Sequence, residues 1–573
     1  MTAALTGAPA LQPPQRATTV TTMATVALAP TDKCSGGSAD NAHAPLDAGG
    51  GVTPRDVFDV ATGLRPIALG AAAAQRMLAS HAALNRMVQE RRRIYGVTTG
   101  YGPLASHPVT PEHAEQLQRN LVYHLCSGVG KPLSPVHTRA MMVARAASMA
   151  RGYSGVGAPL FQTLLDCINL DLVPIVPEMG TVGASGDLTP LAHVTLALMG
   201  EGEMWYQGER VPSRDALAAA GIAPITLGYK EGIALVNGTS CMTGIAAINA
   251  ERARRAAALS VRLAVVYAEC LGGRQEAWDP RFGLARPHAG QVAVHEALAH
   301  FARDSERLKA SVQPPPFLDE SQSHDGWLPE GELPQDPYSI RCVPQIVGAV
   351  LDLLAFHDNI VTTELQSATD NPLIFADDDA ILHGGNFYGQ HVAFASDTLL
   401  LGIAKLAIHA ERCIARLTDK TQNQDLPAFL HRGPDGVNSG FMGAQVTASA
   451  LIAEIRTRAT PASIQSVPTN GNNQDVVTMG TIAARKTADV LDLVFHVLSI
   501  HALALAQAAE LRGGPSLAAF APSSRELVRW IREGSAALDV DRPLAPDISR
   551  TALRLEAIDW QLVPSEHSPD FVF

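Results

Sequence analysis

The sequence predicts an all-α protein built as a bundle of long helices, and three observations carry that reading. Alanine and leucine fill long segments, while aromatic residues make up only 5% of the chain. Helix start and stop signals fall far apart. Strand-like segments are few, and Leu172–Val176 carries Pro174, which cannot donate to a ladder. At 573 residues the chain can bury a large core and hold more than one domain.

Residues 1–52 are rich in alanine, threonine, proline and glycine, and end in Gly49-Gly50-Gly51 and Val52. Without sustained apolar periodicity they read as a disordered leader outside the chemistry. From Thr53 onward helical punctuation takes over. Asn237-Gly238-Thr239-Ser240 can start a helix that runs to Gly272-Gly273. Ser339 can cap a second, which runs toward Ala368 until Asp370-Asn371-Pro372 stops it. A third spans Gln390–Thr418. A fourth starts after Asn473 and reaches Gly513-Gly514-Pro515, roughly three times the mean globular length. Its second half is apolar nearly all round, as in a helix buried by a bundle or by subunit association. Val490–Ala509 suggests a membrane span by length, but Asp492, His496 and His501 within it favour a buried helix.

The balance of residue types narrows the function classes. A hydrophobic share of 46% with 17% charged residues is that of a globular protein. A formal net charge of −12 and no basic stripe argue against nucleic acid as a partner. Cys34, Cys126, Cys167, Cys241, Cys270, Cys342 and Cys413 form no CxxC pair and read as free thiols in a reducing compartment. No basic segment followed by a compact apolar one marks a signal peptide, so the expected location is cytoplasmic, with no membrane partner. His295 and His300 mimic a zinc-protease signature, but five residues leave them roughly 140° apart on a helix, unable to share a metal. There is no Walker loop, Gly155-Val156-Gly157 lacks the third glycine of a dinucleotide fingerprint, and Gly183–Asp187 does not fit a nucleophile elbow. Neither a metal nor a nucleotide is expected.

Thr181–His193, TVGASGDLTPLAH, is the segment with a chemistry of its own. If Ala184-Ser185-Gly186 is held tightly bent, the Gly186 amide nitrogen can attack the Ala184 carbonyl and close a five-membered ring. Loss of water gives an imidazolone, and loss of the Ser185 hydroxyl as a second water leaves an exocyclic alkene. Glycine has no Cβ to obstruct the approach, alanine leaves its carbonyl open, and serine carries the leaving hydroxyl. Asp187 follows and could assist the proton transfers. The product is an electrophile that no unmodified side chain provides. An isolated triplet of this kind would read as a flexible turn.

TVGASGDLTPLAH resembles the fingerprint of the aromatic amino acid ammonia-lyases and aminomutases, in which Ala-Ser-Gly becomes 4-methylidene-imidazol-5-one (MIO). The resemblance recurs in order at Tyr95–Ser106 (YGVTTGYGPLAS), Asn120–Gly130 (NLVYHLCSGVG), Leu235–Ser240 (LVNGTS) and Gln335–Gln345 (QDPYSIRCVPQ). It continues at Thr369–Leu373 (TDNPL), Gly384–Phe387 (GGNF) and Asn473–Gly480 (NQDVVTMG), and covers residues 53 to 520. It implies the family's fumarase/aspartase-like bundle, with a smaller lobe over 53–240 bearing the lid tyrosine and the MIO turn. Residues 241–573 would then form the long helices and the oligomerisation region. It also implies a homotetramer whose active sites combine residues from several subunits, and no external cofactor.

The reaction of this family removes ammonia from an α-amino acid and a proton from the neighbouring β-carbon. That calls for an electrophile to activate the amine and a base near the β-carbon. By resemblance, MIO from Ala184, Ser185 and Gly186 accepts the amine, and Tyr95 is the base. Gly96, Gly100 and Gly102 flank it, as suits a mobile lid, with Gly102 expected at the substrate. Arg341 matches the residue that grips the substrate carboxylate, a task for a guanidinium fork, with Asn371 beside it. Asn237, Gln335, Tyr338 and Gln474 match residues that position the ring and the amino group, and Phe387 matches an aromatic packed near the electrophile. Tyr101 stands where the family often has phenylalanine, a change expected to leave the chemistry alone.

Two positions speak to the substrate. Tyrosine-specific members resemble this chain in carrying His-Leu where it has His124-Leu125; phenylalanine-specific ones carry Phe-Leu and histidine-specific ones Ser-His. An imidazole can hydrogen-bond a phenol, and leaving that partner unpaired penalises the analogue without it. Gln474 stands where histidine-specific relatives have glutamate. The resemblance therefore implies an aromatic amino acid as small-molecule partner, tyrosine converted to trans-p-coumarate and ammonia, and phenylalanine turned over more slowly. A tyrosine 2,3-aminomutase, a histidine ammonia-lyase, or a helical scaffold without catalysis are the alternatives.

Overall fold

Helices form where alanine and leucine dominate, and the two longest end at glycines, Gly272 and Gly514. As a computed structural model, the protein is described over residues 44–310, 335–434, 436–514 and 516–562. In chain order the helices that frame the site are α1 (Ala114–Leu125), α2 (Pro135–Met149), α3 (Leu188–Leu198) and α4 (Ser240–Leu271). They continue with α5 (Tyr338–Arg341), α6 (Val343–Leu365), α7 (Gln390–Thr418) and α8 (Gly480–Gly513). Helix α4 ends where the sequence places its stop: Gly272 takes φ +61° and its N–H closes the last turn on Ala268. Helix α7 has the bounds expected of it.

Helices α4, α7 and α8 lie side by side, with α6 packed on α4 and α7. The core they share is rich in small residues, among them Ala253, Ala257, Ala264, Ala407, Ala504 and Ala508. Side chains this short let helix axes approach closely. A second core gathers Leu121, Met141, Leu191 and Leu198 with the first turns of α4, from Cys241 to Ile248. The division expected at 240 and 241 therefore falls at the start of a helix that serves both cores, since from Ala250 onward α4 belongs to the bundle.

Four boundaries differ from expectation. Residues 44–52, assigned to the disordered leader, are packed: β1 (Leu46–Asp47) pairs in parallel with β2 (Ile67–Ala68), and Ala48 and Val52 are fully buried. The rest of that leader lies outside the described residues. Ser339 does not cap the second helix; it sits inside the short α5, and Cys342 separates α5 from α6, which carries Pro344 in its first turn and stops at Leu365. The fourth helix begins at Gly480, because Thr469 and Gln474 close a turn on each other and Met479 takes φ +56°. Pro174 lies in a strand after all. β3 (Val173–Pro174) joins β4 (Glu203–Tyr206) and β5 (Glu209–Pro212), but at the sheet edge, where its missing N–H is harmless.

Among the described residues, three helices are long and apolar enough to cross a membrane, α6, α7 and α8. Helix α8 is mostly buried within the protein, as the polar residues of Val490–Ala509 suggested, whereas α6 leaves Ala349, Ala355, Phe356, Asn359 and Thr363 exposed. His295 and His300 do not converge: one ring stacks on Phe282 and the other meets Phe301 edge-on.

Candidate active site

The Gly183–Gly186 turn is gripped from two sides. Ahead of α8, the Met479 N–H donates to the Val182 carbonyl at 2.9 Å and the Thr478 hydroxyl to the Gly183 carbonyl at 3.0 Å. Ahead of α4, Gly238 bridges to Gly186 and its carbonyl accepts the Asp187 N–H at 2.7 Å. Gly183 and Gly186 both take φ +70°, and a Cβ on Gly186 would lie 2.2 Å from the Gly238 oxygen. Only glycine fits there. Asn237 Nδ2 donates to the Ser185 carbonyl at 2.9 Å, and Gln474 Nε2 to the Ser185 hydroxyl at 3.0 Å. Asn237 Oδ1 is a buried acceptor with no partner among the described residues.

Asp187 has a different place from the one expected. Its carboxylate accepts the Met242 N–H at 2.8 Å in the first turn of α4 and the Thr481 hydroxyl in the first turn of α8. It is fully buried, does not line the cavity, and burial pushes its carboxyl up to about 6 against those donors. A proton shuttle needs access to the reacting groups; this side chain ties two helix starts together.

Over the turn opens a cavity of about 1170 Å³ lined by Tyr95, Gly102, His124, Leu125, Ala184, Ser185, Asn237, Asn371, Phe387 and Gln474. Tyr95 Oη accepts the Gly102 N–H at 2.8 Å, so the lid loop folds its own backbone donor onto the phenol. His124 and Leu125 close the C-terminal end of α1. His124 Nδ1 lies 3.1 Å from the Asn120 carbonyl. A carbonyl only accepts, so Nδ1 carries a proton toward it and Nε2 is the ring nitrogen left for a ligand. Asn371 Oδ1 accepts the Gly384 N–H at 2.7 Å, which joins the TDNPL and GGNF segments.

Tyr101 is closer to the centre than the sequence suggested. It lines the cavity, meets the Tyr95 ring edge-on at 6.2 Å, and its hydroxyl accepts from Gln118 Nε2 at 2.9 Å. Burial raises its phenol further above the usual range, so it stays protonated. Tyr388 and Asp475 also line the cavity and were not anticipated, although they directly follow Phe387 and Gln474.

Gln335, Tyr338 and Arg341 do not line this cavity. Their segment is pinned to the bundle instead. Asp336 accepts the Arg274 N–H at 2.6 Å, Trp278 Nε1 donates to the Ile340 carbonyl at 3.0 Å, and His409 Nε2 donates to the Ser339 carbonyl at 2.9 Å. Gln335 and Tyr338 are exposed, the latter at 68%, and the Arg341 guanidinium stacks on Tyr338 at 4.5 Å. Residues 52–533 match the profile of the aromatic amino acid lyases.

The chain belongs to the aromatic amino acid lyase family. It is a carbon–nitrogen lyase of the ammonia-lyase class. A tyrosine ammonia-lyase from Cereibacter sphaeroides is 47% identical over 499 residues, 87% of this chain and 94% of that one. A histidine ammonia-lyase from Symbiobacterium thermophilum is 40% identical over 508 residues, 88% of this chain and 96% of the relative. The crystal structure of tyrosine aminomutase from Streptomyces globisporus superimposes with a TM-score of 0.83 at 34% identity, covering 90% of this chain and 97% of that one. The helical bundle expected from the sequence is thus the fold of the family.

Proposed function

We propose that this lyase is a tyrosine ammonia-lyase that converts L-tyrosine to trans-p-coumarate and ammonia, with slower activity on L-phenylalanine. The observation that carries the reading is one cavity holding the Ser185 turn, Tyr95 and the free Nε2 of His124. The turn fits MIO: glycine stands where no Cβ has room, both ends are clamped, and Gln474 donates to the hydroxyl that must leave. Closed from Ala184, Ser185 and Gly186, that ring would supply an alkene conjugated with a carbonyl, an acceptor for the substrate amine.

The chain's own residues do the rest. Asn237 Nδ2 sits on the Ser185 carbonyl oxygen, the atom that gains electron density when an amine adds to the conjugated alkene. Its unpartnered Oδ1 suits the ammonium hydrogens. Tyr95 takes the β-proton onto a phenolate oxygen, the charged form at which the Gly102 N–H is directed, and becomes the neutral phenol. His124 Nε2 accepts the substrate phenol while Leu125 and Phe387 pack the ring. Gln474, a neutral amide, leaves no carboxylate to favour an imidazole substrate. Arg341, Gln335 and Tyr338 come from a neighbouring subunit of a homotetramer, a reading supported by their place outside this chain's cavity and by the exposure of Gln335 and Tyr338. The location proposed is cytoplasmic, consistent with the free thiols of the six described cysteines.

Incubation with tyrosine, phenylalanine and histidine separately, followed by chromatography of the unsaturated acids, tests the substrate. Coumarate formed fastest is the expected result. Urocanate as the main product overturns the substrate reading, and β-tyrosine with little coumarate makes the enzyme an aminomutase. Intact mass lower by two waters is expected of the folded chain; an unmodified mass overturns the electrophile.

A further inference from the structure

Beneath the Asn237–Gly238 segment lies a buried charge cluster that takes no part in the chemistry above. Arg145, in the last turns of α2, is 1% exposed. Its Nη1 donates to the Asn237 carbonyl at 2.6 Å and its Nη2 to the Ser148 hydroxyl at 3.2 Å. Ser148 in turn accepts the Thr369 N–H at 3.0 Å. Next in the chain, Asp370 accepts from Lys230 Nζ at 2.5 Å, and both side chains are fully buried. One carboxylate thus faces two buried cations, and Nε of Arg145 has no partner. Burying a guanidinium that shares its counter-ion with a lysine is costly, and the donors it does spend go to the Asn237 carbonyl and Ser148.

The layering shows how. A Cβ on Gly238 would lie 2.1 Å from Arg145 Nη1, and a Cβ on Gly186 would lie 2.2 Å from the Gly238 oxygen. Guanidinium, Gly238 backbone and reactive turn are stacked with no side chain between them. The Asn237 residue whose carbonyl Arg145 holds is the one whose amide reaches the Ser185 oxygen.

We propose that Arg145 is a positioning residue for the electrophile, held by Ser148 and charge-balanced by Asp370. It presses Asn237–Gly238 onto the turn and fixes the Asn237 amide on the Ser185 oxygen. The inference rests on the MIO reading above, which the mass of the unmodified-sequence enzyme tests by itself. In Arg145→Met, a folded chain forms the ring incompletely, and the fraction that lacks two waters falls. Its kcat drops by about 100-fold, the scale of a misplaced catalytic group, while KM for tyrosine changes little because no substrate contact is lost. Arg145→Lys restores part of both, having a charge but no fork. Ser148→Ala, a milder change that keeps the guanidinium, lowers kcat less than Arg145→Met. Full water loss with unaltered kcat in folded Arg145→Met overturns the proposal, and so does Arg145→Lys behaving no better than Arg145→Met. If the parent enzyme itself keeps both waters, the MIO reading fails rather than this one.

Discussion

At the scale of single residues, the most informative atom is Nε2 of His124. The backbone carbonyl of Asn120 engages Nδ1, so Nε2 is the ring nitrogen left for a ligand in the cavity. On the proposed reading a phenol donates into it, and a benzyl ring leaves it unpaired. His124→Phe removes that preference, and the ratio of kcat/KM for tyrosine over phenylalanine should fall roughly 10- to 100-fold. Parallel assays with both substrates check it, and an unchanged ratio would show that His124 does not read the phenol. Tyr101 shows the limit of motif reading at this scale. As a substitution within a loop block it looked silent, yet the loop folds back so that its ring rests on Tyr95.

At the scale of elements, Asp187 links the starts of α4 and α8 through Met242 and Thr481. Its carboxyl, raised by burial from 3.8 to about 6, is protonated in the folded chain over a range where the unfolded chain has released the proton. Stability from this group is therefore complete below pH 4 and lost as pH rises through 6, on the order of 3 kcal/mol. Asp187→Asn stays neutral yet can still accept the Met242 N–H. Its thermal midpoint relative to the parent should improve between pH 4 and pH 7.5, read by calorimetry. A difference that is the same at both pH values would refute the linkage. The start of α8 could not be placed from sequence, because the Thr469–Gln474 turn and the left-handed Met479 go with the contacts this segment makes to the distant Val182–Ser185 turn.

At the scale of the whole molecule, the predicted residues fall into two groups. One lines the cavity; the other, Gln335, Tyr338 and Arg341, is fixed to the bundle by Arg274, Trp278 and His409 away from it. If neighbouring subunits exchange these groups, Tyr95→Phe and Arg341→Met are each inactive alone. Co-expressed, they should recover activity in mixed assemblies that contain an intact site. No recovery in mixed assemblies confirmed by native mass spectrometry would place both residues in one chain's site.

The sequence by itself determined the helical bundle, the bounds of α7, the stop of α4 at Gly272 and the small-residue turn at 183–186. These are local matters: alanine and leucine propensity, glycine at positive φ, and residue order within a short motif. Tertiary structure alone decided that Gly238 backs the turn, that Asp187 joins two helices, and that Arg145 lies beneath Asn237. It also drew residues 44–52 into the N-terminal core. Each of these depends on contacts between segments remote in the chain, and an arginine in the middle of an alanine-rich helix carries no local mark of what its guanidinium will meet. Burial of that charge, and the backbone stacked on it, exist only once the chain has folded.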